Sequence, residues 1–183
     1  MQQQTIQKLN IPFFLLTSFS CYQGALRGMP WLGLVAFAAL VAFFLPHTQL
    51  KKERLLITLL VAVTGFTVDT ALIILNVYTV KESARWLLPA PFCPEWILVL
   101  WLNFGFMLPI FRQFLSKSKI TPVLVGIIFS FLIFGNASRM ELVSIQQQPK
   151  LTGFLLIALC WAILIPFFTN CAVRYFGGEH AVK

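Results

Sequence analysis

Residues 152–174 read TGFLLIALCWAILIPFFTNCAVR, a stretch without a charged residue before Arg174. A helix needs about 20 consecutive apolar residues to cross the roughly 30 Å hydrocarbon core of a bilayer. Because that core offers the backbone no water, a chain crosses it most readily as a helix with all of its own hydrogen bonds made. The stretch is therefore predicted to be a transmembrane helix.

Five further apolar runs precede this one. They are separated by charged, glutamine-rich or proline-rich breaks at residues 47–54, 88–94 and 146–150 and by shorter turns between the others, and such breaks interrupt regular helix. The sequence therefore predicts an all-α polytopic membrane bundle, with residues 1–183 forming a single domain and no evident internal repeat. The six predicted spans are 11–25, 30–46, 55–80, 95–112, 122–139 and 152–174.

The composition excludes the soluble and disordered classes. Hydrophobic residues make up 58% of the chain and charged residues 11%, with 19 phenylalanines, whereas a soluble domain carries about 25% charge. Disordered chains are polar and poor in aromatic residues. The formal net charge is +8, but the basic residues lie between apolar runs and not along one stripe. Membrane lipids are therefore the expected partners, a membrane protein partner is an open alternative, and nucleic acid is not expected.

The basic residues predict which ends of the helices face the cytoplasm. With six spans, both termini and the second and fourth loops lie on one side of the membrane. Nine lysines and arginines fall on that side and five on the other. Since basic residues accumulate in cytoplasmic loops, both termini are predicted to be cytoplasmic. The first apolar run has no clear small-residue cleavage site after it and is interpreted as an uncleaved helix.

Asp69 is the acidic residue that falls deep inside a predicted span. It lies about eleven residues from the outer end of the third span, which at 1.5 Å per residue is about 16 Å, near the midplane of the bilayer. A carboxyl group at that depth should be protonated, paired or facing water, and is a candidate functional group. The alternative is a structural group whose carboxyl forms hydrogen bonds between helices.

Four other side chains are predicted to lie near Asp69. Asn103 and Trp161 have about the same depth, Asn76 lies two helical turns further out, and Asn136 is close to the outer end of the fifth span. These residues could outline a polar binding cavity that opens outward. They could equally be interhelical hydrogen-bonding groups, each contributing about 1 kcal/mol.

Metal and cofactor sites are not indicated. The four cysteines contain no C-x-x-C pair and the chain has two histidines, so the spacing of metal ligands is missing. No P-loop or G-x-S-x-G sequence is present, and no catalytic residue can be assigned. Cys21 and Cys93 fall on the same predicted outer side and could form a disulfide in an oxidising compartment.

Four groups of residues resemble a bacterial inner-membrane family catalogued as a domain of unknown function, number twenty-eight seventy-eight in that series. The resemblance covers nearly the whole chain, and its third group, which is rich in tryptophan, is the most specific. The groups are Phe19, Cys21, Gly24-Ala25, Arg27-Gly28 and residues 30–33; Gly65, Asp69 and Leu72; Pro94, Trp96, Leu100-Trp101 and Phe104; and Trp161-Ala162 with Pro166.

The resemblance implies a small multi-pass protein of the bacterial inner (cytoplasmic) membrane without an assigned activity. It adds Trp101 to the candidate binding residues, because Trp101 and Asp69 both occupy matched positions. The chain departs from the family at Ser18, where the family often has Trp, at Asn76, where it often has Gly, and in the fifth span at residues 134–137.

Three functions remain open from the sequence. The first is a binding or accessory membrane protein, with lipid as one expected ligand. The second is a small transporter that uses Asp69 in an outward-facing cavity. The third is a membrane-embedded lipid-modifying enzyme.

Overall fold

The computed structural model describes residues 3–48 and 50–176, with side chains described from residue 9 onward. This part of the chain forms six α-helices and one pair of three-residue strands. The helices are α1 (Gln3–Leu26), α2 (Leu32–Phe44), α3 (Lys51–Ile74), α4 (Glu95–Leu115), α5 (Thr121–Arg139) and α6 (Lys150–Phe176). The strands are β1 (Tyr78–Val80) and β2 (Val143–Ile145), and short 3₁₀ turns occupy Leu45–His47 and Glu82–Ala84.

Four of the helices are long and apolar enough to cross a membrane. They are α3, α4, α5 and α6, whereas α2 with the turn that follows it is a shorter apolar helix. The prediction of a helical protein is therefore confirmed, and four of its helices are candidates for crossing a membrane. The count of six spans depends on α1 and α2 and stays a prediction.

Helix α4 lies at the centre of the bundle. It packs against α3, α1, α2 and α6, and buried residues are spread around its circumference. Residues of α4 that face different neighbours include Phe106, which contacts Phe37 of α2, and Trp101, which contacts Trp161 of α6. A helix that is apolar on all sides is expected at such a central position.

The third predicted span ends earlier than expected. It was predicted to reach residue 80, but α3 ends at Ile74 because Asn76 adopts a left-handed conformation with φ of 54°. The backbone N–H of Val77 then donates to the carbonyl of Leu72 (2.9 Å), which closes the helix end. Asn and Gly adopt this conformation most easily, in agreement with the Gly that the resembling family often has here.

Helix α5 ends in the same way, and the same order of helix, strand and helix occurs twice in the chain. Glu141 has φ of 57°, and the N–H of Leu142 donates to the carbonyl of Ala137 (2.9 Å). A strand and an antiparallel helix follow in both cases, giving α3–β1–α4 and α5–β2–α6. The two strands pair in antiparallel register, with Tyr78 opposite Ile145 and Val80 opposite Val143. This structural repeat was not evident in the sequence.

The two ends of the bundle differ in charge. The strand end is defined by β1 and β2, and the basic end by the α2–α3 and α4–α5 turns. Arg112 lies 5.5 Å from the ring centroid of Phe176, which places the last turns of α4 and α6 together at the basic end. Arg54, counted above with the cytoplasmic charges, is instead buried and donates from Nε to the carbonyl of Phe106 (2.8 Å).

Candidate functional site

Asp69 lies in the interior of the bundle with both carboxylate oxygens occupied. Its side chain has no exposed surface. Oδ1 accepts a hydrogen bond from the hydroxyl of Tyr78 (3.0 Å), and Oδ2 accepts one from the indole N–H of Trp101 (2.6 Å). The carboxyl group therefore joins α3, β1 and α4, and water does not reach it.

Tyr78 is the partner of Asp69 that the sequence did not predict. It was included in the third predicted span, whereas it opens β1. Burial raises the pKa of Tyr78 well above 10, and the nearby Asp69 raises it further. The hydroxyl therefore keeps its proton and remains a donor to Asp69. The Tyr78 ring also packs edge-on against Phe134 of α5, with centroids 5.0 Å apart.

Trp101 reaches Asp69 because Gly65 leaves room for its indole ring. A Cβ atom at position 65 would overlap the ring atoms of Trp101. On its other side the ring lies against Trp161, with centroids 4.5 Å apart, and against Phe168 at 6.0 Å. The position of the ring is thus fixed by a hydrogen bond and by contacts from two helices.

Trp161 is held close to α5 by a second glycine. A Cβ atom at Gly126 would lie 2.5 Å from the backbone carbonyl oxygen of Trp161, so α5 and α6 are in backbone contact at this level. Trp161 is 6% exposed, and its indole N–H is buried without a hydrogen-bond partner. Buried donors normally have partners, so this N–H is a notable exception.

The loop between β1 and α4 covers Asp69 from the strand end. The backbone N–H of Cys93 donates to the Thr70 hydroxyl (3.1 Å), which fixes the loop to α3 next to Asp69. The Glu95 carboxylate accepts hydrogen bonds from the backbone N–H groups of Trp86 (3.2 Å), Leu87 and Leu88 (2.5 Å). These contacts hold the loop in one conformation.

The thiols of Cys21 and Cys93 are both free and buried. The disulfide considered from the sequence is therefore absent from this structure. Burial raises the pKa of the Cys93 thiol well above 9, and the nearby Asp69 raises it further. The thiol is consequently protonated at neutral pH and is a poor nucleophile.

The structure brings together three of the six candidate residues: Asp69, Trp101 and Trp161. Asn103 is buried but faces α1, where its amide donates to the carbonyl of Phe14 (2.9 Å) and to Ser18 Oγ (3.0 Å). The other two side chains, those of Asn76 and Asn136, are exposed at the strand-end termini of α3 and α5.

A lateral groove runs between α1 and α5 over α4. Its floor consists of buried aromatic and aliphatic side chains, and its rim is half-buried. The upper part encloses about 40 Å³ and the lower part about 220 Å³. The upper part is lined by Phe14, Ser18, Ile97, Leu100, Trp101, Phe104, Phe129, Ile133, Phe134 and Trp161. The lower part is lined by Phe104, Phe111, Phe114, Leu115, Val125 and Phe129.

The two parts are adjacent, since Phe104 and Phe129 line both, and they are described together as the lateral groove. At the strand end, the Tyr22 hydroxyl of α1 donates to the carbonyl of Ile133 on α5 (3.1 Å) and bridges the two rims. Asp69, Tyr78, Trp101 and Trp161 are called the buried cluster below. Trp101 belongs to both the cluster and the groove, since it lines the groove and its indole N–H donates a hydrogen bond to Asp69. The groove could not be predicted from the sequence, because its lining comes from four helices.

Residues 7–167 match a family model described as "Protein of unknown function (DUF2878)". The chain belongs to this family. No curated protein and no solved structure matches the chain. The matched range includes Gly65, Asp69, Trp101 and Trp161, so the DUF2878 match spans the buried cluster and the floor of the lateral groove.

The residues of DUF2878 described in this structure contain no group of three or more His, Cys, Asp or Glu side chains that could hold a metal ion. The chemistry available at the site is therefore that of aromatic rings, one carboxyl group and hydrogen-bond donors. This set of groups is suited to binding an apolar ligand and orienting it with a few polar contacts.

Proposed function

We propose that this chain is an integral protein of the bacterial inner membrane that binds a membrane lipid by one acyl chain in the lateral groove. Both termini lie on the cytoplasmic side in this proposal. The observation that carries it is the groove itself, an apolar channel on membrane-spanning helices whose half-buried rim lies between α1 and α5.

The lining of the groove supports an acyl chain as the occupant. Its walls are aromatic and aliphatic, with Ser18 the one residue of the lining that has a hydroxyl group. A ligand that enters sideways between two membrane helices comes from the hydrocarbon phase.

The length of the groove also supports this occupant. From Trp101 to Leu115 it follows fourteen residues of α4, which at 1.5 Å per residue is about 21 Å. One leaflet contributes about half of the roughly 30 Å hydrocarbon core. The groove is therefore long enough to follow an acyl chain through one leaflet.

Asp69 has a positioning role in this proposal. Its carboxylate orients the indole of Trp101, which lines the groove, and the side chain is closed to water. The geometry therefore favours lipid binding over transport coupled to Asp69, because a coupling carboxyl group must be reached by the ion or proton.

Filling the groove tests the proposal. Ile133→Trp places a large side chain on the rim, and the protein extracted in mild detergent is expected to retain several-fold less lipid by native mass spectrometry. Leu132→Trp is the matched control, because Leu132 is 53% exposed and lies outside the groove. Equal lipid retention by the two variants, or no retained lipid in the wild type, contradicts the proposal.

A further inference from the structure

A second cavity lies at the basic end, beside the lower end of the lateral groove. This polar cleft has a volume of about 420 Å³ and lies between the α4–α5 turn and the last turns of α6. Its lining differs from that of the groove, since it includes hydroxyl, amide and ammonium groups. The lining residues are Leu115, Ser116, Ser118, Lys119, Pro122, Pro166, Thr169, Asn170 and Val173.

The polar cleft is lined by hydrogen-bond donors and by no acidic side chain. None of its lining residues is acidic. Within the part of the chain that the structure describes, no ion pair forms to the Lys119 ammonium and no side-chain hydrogen bond to Asn170. Ser118 holds the turn in place, since its Oγ accepts hydrogen bonds from the N–H groups of Ile120 and Thr121, both 3.2 Å. An ammonium beside a free amide favours a phosphate group.

Leu115 lies between the polar cleft and the lower groove. Its side chain is 2% exposed and lines both cavities. A lipid whose acyl chain lies in the lower groove would therefore have its phosphate close to Lys119. This end of the bundle also carries Arg112, Lys117 and Arg174, as expected for the cytoplasmic side.

We infer that the polar cleft binds the phosphate of an anionic glycerophospholipid from the cytoplasmic leaflet, whose acyl chain occupies the lateral groove. This inference rests on the proposed function and adds the headgroup class and the leaflet. A headgroup with its own ammonium would place a positive charge near Lys119 and is disfavoured. Phosphatidylglycerol is therefore preferred over phosphatidylethanolamine with the same acyl chains.

The test is competition between these two lipids for the full-length protein in nanodiscs, read as the ratio of bound lipids by native mass spectrometry. Wild type is expected to prefer phosphatidylglycerol about fivefold, and Lys119→Gln to remove most of that preference, since one lysine contributes about 1 kcal/mol toward an anionic lipid. Lys52→Gln is the control, because Lys52 is an exposed lysine at the start of α3, at the same end of the bundle, and does not line the cleft or the groove.

The outcomes separate this inference from the proposed function. Equal binding of the two lipids by wild type overturns the headgroup assignment and leaves the groove occupied. Loss of preference in Lys52→Gln equal to that in Lys119→Gln also overturns it. If neither lipid is retained, the proposed function fails. Binding of inorganic phosphate alone that depends on Lys119 would then assign the cleft to a soluble anion and overturn the lipid assignment.

Discussion

Replacing Asp69 with Ala is expected to lower the free energy of unfolding by about 4 kcal/mol, because the Tyr78 hydroxyl and the Trp101 N–H would both remain buried without an acceptor, at about 1–3 kcal/mol each. The measurement is unfolding in mixed detergent and SDS micelles, followed by circular dichroism. Few single substitutions reach this size.

Two conservative variants test the cause of that loss. Tyr78→Phe leaves one oxygen of Asp69 without its donor and is expected to cost about half as much as Asp69→Ala. Asp69→Asn should fall between Tyr78→Phe and Asp69→Ala, since an amide offers one acceptor oxygen and places an NH₂ against a donor. Trp101→Phe is expected to cost more than Tyr78→Phe, because it also removes part of the ring that packs against Trp161 and Phe168. A wild-type stability for Asp69→Ala would show that the carboxyl group does not hold the bundle together.

Replacing Gly65 with Ala is expected to cost about 2–3 kcal/mol, in the range typical of overpacking. The added Cβ overlaps the Trp101 ring, and the ring cannot move without losing its bond to Asp69 or its contact with Trp161. The same unfolding assay measures the loss, and the tryptophan emission spectrum should shift as the indole changes environment.

Gly135→Ala is the matched control for Gly65→Ala. Position 135 also lies within a membrane-spanning helix, but a Cβ atom there meets nothing within 4 Å. Its replacement is expected to leave stability unchanged or to raise it by up to about 1 kcal/mol through helix propensity. Equal losses for the two substitutions would mean that the tight packing of Trp101 is not the cause.

The sequence predicted the helical class and the burial of Asp69 because both depend on local features. Apolar runs of sufficient length identify membrane helices, and a carboxyl group within one must find partners. Trp161 could be placed near Asp69 from its depth along the helix, whereas Trp101 became a candidate only through the family resemblance. These parts of the site required no knowledge of how the helices turn toward one another.

The features that the sequence did not predict depend on rotation and on chain reversal. Asn103 has a depth similar to that of Asp69 but faces α1, and depth alone cannot distinguish the faces of a helix. Tyr78 was assigned to a helix because the left-handed turn at Asn76 was not recognised. The signal for it was present, since residues 77–80 read VYTV, which is typical of a strand.

The lateral groove was beyond the reach of the sequence for a related reason. Its lining residues belong to α1, α4, α5 and α6, and each of them alone resembles an ordinary apolar position. Only the gap between α1 and α5 makes them a binding surface. Aromatic residues such as Phe104 and Phe129 predict burial or lipid contact equally well, so the groove could be found only from their arrangement.

The most direct measurement of the central claim is photocrosslinking in nanodiscs with a phospholipid that carries a diazirine on its acyl chain. Peptide mapping by mass spectrometry is expected to find the adducts concentrated at the groove residues Phe14, Phe129 and Ile133, and to lose them in Ile133→Trp. Adducts spread equally over exposed positions outside the groove, such as Leu159 and Ile163 of α6, would contradict a specific acyl-chain site.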